Sequence, residues 1–123
     1  MQATILVVDD DVVTCQVLSQ ELSQSGYTTH WVTNGNDAID YILSKPVDVM
    51  LLDLRMPDID GFQVLRELEK TKPRTKTIVL TGYGDFKGAV EATRLGATDF
   101  INKPYDLDEL LISIRKVLTD SAD

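Results

Sequence analysis

Five apolar runs of strand length alternate with five helical patterns along the chain. Thr4-Ile5-Leu6-Val7-Val8 is continuously apolar, as a parallel strand is when helices cover both its faces. A helix is expected from about Asp11 to Gln24, with Leu18 and Leu22 one turn apart and Gly26 at the stop. Thr28 to Val32 predicts a second, more polar strand near a sheet edge. Asn34-Gly35 reads as a turn, and Ala38, Ile39, Ile42 and Leu43 as a short amphipathic helix ending before Pro46. Asp48 to Asp53 is a third strand, nearly all apolar until its last residue. Val64, Leu65 and Leu68 mark a helix from Phe62 to about Lys70, and Thr77 to Leu80 a fourth strand. After Gly82-Tyr83-Gly84, Asp85 is placed to cap a helix whose Phe86, Ala89, Val90 and Thr93 share a face, closed by Gly96. Asp99 to Asn102 is the fifth strand. Leu107, Leu110, Leu111, Ile114, Val117 and Leu118 space out a final helix.

Strands joined to helices by short linkers imply right-handed βαβ units and one parallel sheet covered on both sides, a doubly wound α/β domain. A chain of 123 residues suffices for one domain with a real core, and 1–123 reads as one domain. Hydrophobic residues at 43% and charged residues at 26% are ordinary for a globular protein. No apolar run approaches the length of a membrane span, and the first residues do not resemble a signal peptide. The single cysteine, Cys15, suits a reducing cytoplasm and falls where a helix faces the core, so it reads as a small buried hydrophobe. The net charge of −8, from 20 acidic and 12 basic residues, argues against direct nucleic-acid binding. The densest basic stretch, Lys70, Lys72, Arg74 and Lys76, reads as a solvated helix end and loop.

Open parallel sheets bind ligands at the carboxyl ends of their strands. There the first strand offers Asp9, Asp10 and Asp11, the third Asp53, the fourth Thr81 and the fifth Lys103. Carboxylates crowded into one crevice repel and raise each other's pKa, a conflict that a divalent cation resolves. Oxygen-only ligation suits Mg²⁺, and the lack of accompanying His or Cys argues against zinc. Lys103 can pair with Asp53 or hold a phosphoryl oxygen, and Thr81 can donate to another. Such parts fit phosphoryl transfer to a carboxylate, with Asp53 as nucleophile, Asp10 as principal metal ligand, Asp9 as its outer partner and Asp11 mostly as a helix cap.

Val7-Val8-Asp9-Asp10-Asp11, Leu52-Asp53-Leu54-Arg55-Met56-Pro57, Asp60-Gly61, Leu80-Thr81-Gly82 and Lys103-Pro104 resemble, in order and spacing, the receiver domains of bacterial two-component response regulators. The resemblance covers essentially the whole chain and is nearest to receivers of ATPase-type transcription activators. It implies a flavodoxin-like fold with five helices and strand order 2-1-3-4-5. It implies Asp53 as phosphoacceptor, Asp9 and Asp10 as the acidic pocket, and metal ligation by Asp53 and the backbone carbonyl of Arg55. Thr81 and Lys103 would meet the phosphoryl group, and a cis peptide would precede Pro104. Thr81 and Phe100 would form the switch, altering the surface of the fourth helix, fifth strand and fifth helix. Many relatives have tyrosine at the Phe100 position; without the hydroxyl, packing alone must choose the rotamer.

The implied partners are a sensor histidine kinase or phosphotransfer protein and an output domain or downstream protein; the sequence leaves a homodimer open, and no nucleic acid or membrane is implied. The chemistry is that of a switch, limited to self-phosphorylation and slow hydrolysis. Arg55 and Tyr83, two residues beyond Asp53 and Thr81, are expected to shield the phosphorylated state from water. An aspartyl-phosphate phosphatase fits less well, because such enzymes carry a second Asp where this chain has Arg55. A nucleotide-binding module would need a Gly-rich first loop where Asp9-Asp10-Asp11 stands. A degenerate receiver acting only as an interaction module is the remaining alternative. Ile112, off the buried stripe of the last helix, reads as a partner-facing residue, and His30 as an exposed one.

Overall fold

The computed structural model describes residues 2–71, 73–82 and 84–120. In chain order the elements are β1 (Thr4–Val8), α1 (Val12–Gln24), β2 (Thr28–Val32), α2 (Gly35–Ser44), β3 (Val49–Asp53), α3 (Gly61–Thr71), β4 (Lys76–Gly82), α4 (Phe86–Arg94), β5 (Asp99–Lys103) and α5 (Leu107–Asp120). All strand pairings are parallel and the order is β2-β1-β3-β4-β5. The polar β2 therefore lies at an edge, as its composition predicts.

Alternation along each strand sends neighbouring side chains to opposite layers. Ile5, Val7, Val49, Leu51, Ile78, Leu80 and Ile101 pack against Cys15, Leu18 and Leu22 of α1 and Leu110, Ile114 and Val117 of α5. Leu6, Val8, Met50, Leu52 and Val79 pack on the other side with Ala38 and Ile42 of α2, Val64, Leu65 and Leu68 of α3, and Ala92 of α4. That double coverage is why Ile5 to Val8 of β1 and Val49 to Leu52 of β3 are all apolar. Truncating a fully buried side chain such as Leu51 to alanine is expected to cost about 2–5 kcal/mol.

Asp11 caps α1, its carboxylate accepting from the Val13 N–H at 3.1 Å, and Asp85 caps α4 through the Gly88 N–H at 3.1 Å. Asn34-Gly35, expected as a free turn, is instead the start of α2. Asn34 accepts from the Asp37 N–H at 2.8 Å, and Gly35 lies in the helix. A Cβ on Gly35 would stand 2.7 Å from Ile59 Cγ2, so packing between α2 and the β3–α3 segment selects the glycine.

The shared face of Phe86, Ala89, Val90 and Thr93 also differs from a simple core stripe. Ala89 is buried, but Phe86 is 73% and Val90 46% exposed. Helix α4 approaches the sheet through Gly88, Ala89 and Ala92, and its larger apolar side chains overhang edge strand β5. There they line a groove with Phe100. On α5, Leu110, Ile114 and Val117 are buried, whereas Ile112 is exposed as its spacing implies. His30 is exposed as well, its ring 5.7 Å from that of Tyr41. No described helix is long and apolar enough to cross a membrane.

Candidate functional site

The strand order reverses between β1 and β3, since the chain passes from β1 outward to β2 and then returns to β1's other side. This leaves a crevice above the carboxyl ends of the central strands. Asp9 and Asp10 follow β1 directly, Asp53 is the last residue of β3, Thr81 lies near the end of β4, and Lys103 ends β5. The register sets Asp53 beside Leu80 and Lys103 beside Gly82, so the strand ends are level.

Asp9, Asp10 and Asp53 each offer a carboxylate oxygen, and these oxygens lie within 4.8 Å of one another. Asp9 and Asp53 are buried, Asp10 exposed. One Asp9 oxygen accepts from the Asp11 N–H at 2.9 Å, and the other takes the Lys103 ammonium at 2.7 Å. Lys103 reaches Asp53 only at 3.4 Å. The lysine thus belongs more to Asp9 than to Asp53, a pairing the sequence does not reveal.

Burial pushes the Asp53 carboxyl above its ordinary pKa; the Arg55 N–H, donating at 3.1 Å, and the Lys103 charge oppose this, and the Asp9 charge adds to it. Burial also disfavours the charge on Lys103, but the Asp9 hydrogen bond and the charges of Asp53 and Asp9 outweigh it and hold the ammonium above its usual value. Three carboxylates with one ammonium leave an excess of negative charge. An oxygen-only cluster with that excess, and no His or Cys in it, fits a hard divalent cation.

Thr81 is fully buried, and its hydroxyl donates to Asn102 Oδ1 at 3.1 Å. Phe100 is 39% exposed beside the α4 groove. The Arg55 side chain crosses to the α4 cap, pairing with Asp85 at 2.9 Å, with its guanidinium 5.4 Å from the Phe62 ring. The peptide between Lys103 and Pro104 is cis, as the resemblance implies. Tyr83, expected beside Arg55, lies outside the described residues. Asn102 and Asp85 were not legible as members of this region: register opposes Asn102 to Thr81, and a long-range ion pair recruits Asp85.

Acidic residues and one lysine at the switch point of a β2-β1-β3-β4-β5 sheet define a doubly wound domain with a cation-ready carboxylate pocket. The family model for the response regulator receiver domain matches residues 5–115, and the chain belongs to that family. It is 40% identical to the regulatory protein AtoC of Escherichia coli K12 over 114 residues, 93% of this chain and 25% of that protein. Against the transcriptional regulatory protein ZraR of Klebsiella oxytoca the identity is 36% over 117 residues, 95% of this chain and 26% of that protein. The chain therefore spans about a quarter of the length of these curated relatives. Both relatives are named as regulatory proteins, ZraR as a transcriptional one, in line with the resemblance to receivers of transcription regulators.

Among solved structures, NtrX from Brucella abortus in complex with ADP superposes with a TM-score of 0.92 at 32% identity, over 99% of this chain and 28% of that one. The receiver domain of the Francisella response regulator 1452 superposes with a TM-score of 0.91 at 28% identity, over 98% and 99% of the two chains.

Proposed function

We propose that residues 1–123 form one receiver domain that accepts a phosphoryl group on Asp53 from a phosphohistidine of a sensor kinase or phosphotransfer protein. The observation that carries this reading is the meeting of Asp53 with Asp9, Asp10 and Lys103 at one strand-end crevice, with carboxylate oxygens within 4.8 Å of one another. In the transfer, an Asp53 oxygen forms the new P–O bond as the donor's P–N bond breaks, and the departing imidazole keeps the electron pair and takes up a proton.

Asp10, Asp9, Asp53 and the backbone carbonyl of Arg55 would hold Mg²⁺. When bound, Mg²⁺ neutralises charge on the carboxylates and on the phosphoryl oxygens. The Arg55 N–H orients the nucleophile by binding one of its oxygens at 3.1 Å. Lys103, already at the mouth of the pocket, binds a phosphoryl oxygen in the product, and the Thr81 hydroxyl binds another. Withdrawal of Thr81 from its present place opens space for Phe100 to turn inward. The surface of α4, β5 and α5 then changes and signals to an output domain, a downstream protein or a second copy. The domain's own chemistry is confined to acquiring the phosphoryl group and slowly hydrolysing it.

Intact mass after incubation with acetyl phosphate tests this reading. Wild type should gain one phosphoryl group only with Mg²⁺, and Asp53→Asn should gain none. A folded wild type that gains none from acetyl phosphate or from a panel of phosphorylated kinases would leave a phosphorylation-independent interaction module.

A further inference from the structure

Thr81 is fully buried, so its hydroxyl needs a partner inside the protein. Parallel pairing of β4 with β5 sets Thr81 opposite Asn102, and the hydroxyl donates to Asn102 Oδ1 at 3.1 Å. Asn102 itself is exposed, the residue next to Lys103 and two along β5 from Phe100. Its amide therefore touches one of the two residues that the proposed switch moves and lies two positions along β5 from the other.

We propose that Asn102 is a positioning residue whose carboxamide holds the Thr81 hydroxyl away from Asp53 in the resting protein. This rests on the reading of Asp53 as phosphoacceptor and deepens it by naming what the Thr81 hydroxyl must leave. In the resting state the hydroxyl has Asn102; in the phosphorylated state it has a phosphoryl oxygen. Deleting the Asn102 amide strips the hydroxyl of its partner in the first state alone. The balance then moves toward the second by the factor carried by one net hydrogen bond, roughly fivefold.

The test compares wild type, Asn102→Ala, Thr81→Val and the double variant. The readouts are the rate of phosphorylation by acetyl phosphate with Mg²⁺ and the half-life of the product, both by intact mass, with thermal melts to verify folding. Asn102→Ala should be phosphorylated roughly fivefold faster than wild type or keep its phosphoryl group correspondingly longer. On the Thr81→Val background the same change should have no effect, because no hydroxyl remains to be held. A merely structural role would slow both backgrounds alike. Equal or slower phosphorylation of a folded Asn102→Ala with no gain in half-life, or the same gain without the Thr81 hydroxyl, overturns the inference and leaves Asp53 as acceptor intact. A wild type that takes up no phosphoryl group overturns both.

Discussion

The Lys103 ammonium lies 2.7 Å from Asp9 Oδ2, and Asp9 is almost wholly buried. Each is the other's main charge partner, so Lys103→Met leaves a buried carboxylate exposed to repulsion from Asp10 and Asp53. The expected loss is about 1–3 kcal/mol without metal. Removing a positive charge from the proposed cation site also favours the cation, so Mg²⁺ should raise the melting temperature of Lys103→Met more than that of wild type. Thermal melts with and without MgCl₂ check this; equal increments would contradict competition between lysine and cation.

Asp53 illustrates a conflict between the proposed function and stability. Its folded-state pKa is raised by burial, so its stabilising contribution is fully present below the unfolded-state pKa and is lost as pH rises through the folded-state value. Above that folded-state value, without metal, the ionised carboxylate weakens the fold. Asp53→Asn should melt a few degrees higher than wild type while taking up no phosphoryl group. A lower melting temperature in metal-free buffer sinks the argument.

Gly61 begins α3 directly behind Asp53. A Cβ there would stand 2.7 Å from Leu54 Cα and 2.8 Å from the Asp53 carbonyl oxygen, both backbone atoms with little freedom to move. Gly61→Ala is expected to destabilise by about 1–3 kcal/mol and to slow phosphorylation by shifting Asp53. Urea titration and the acetyl phosphate assay measure the two effects separately.

The Arg55–Asp85 pair is exposed on the arginine side, so its loss should cost less than about 1 kcal/mol. Its effect on the phosphorylated form is expected to be larger, because the side chain spans from the residue two after Asp53 to the α4 cap. Arg55→Ala should lose its phosphoryl group faster than wild type, measured as decay of the phosphorylated mass. An unchanged or longer lifetime removes Arg55 as a shield against water.

Cys15 donates its thiol to the Asp9 carbonyl at 3.2 Å, and burial first, then the Asp9 charge, push its pKa from 9.0 up to about 11. At pH 8 it should react with a disulfide reagent only as fast as the protein opens, roughly a hundredfold slower than in urea. A raised thiol pKa also means stability that is present below pH 9 and lost toward about pH 11. Cys15→Ala should flatten that loss in melts across this range. Rapid labelling of the native protein would refute the buried, protonated thiol.

The chain's own pattern determines the alternation of strands and helices, the two-sided burial of β1 and β3, the polar β2 and the strand-end acids. These follow from local periodicity and from the general rule that parallel strands present functional groups at their carboxyl ends. Asp53, Asp9, Asp10, Thr81 and Lys103 were legible for that reason. The tertiary structure decided what local patterns do not encode. Position 35 takes glycine because Ile59 and Val64, more than twenty residues away in sequence, lie where a Cβ would stand. Phe86 and Val90 stay exposed because β5 is the last strand of the sheet, with no further described strand or helix packed beyond it. Lys103 selects Asp9 over Asp53, and Thr81 meets Asn102, because register and rotamer set those distances. Spacing along the chain says which groups share a rim, but only the folded packing says which of them touch.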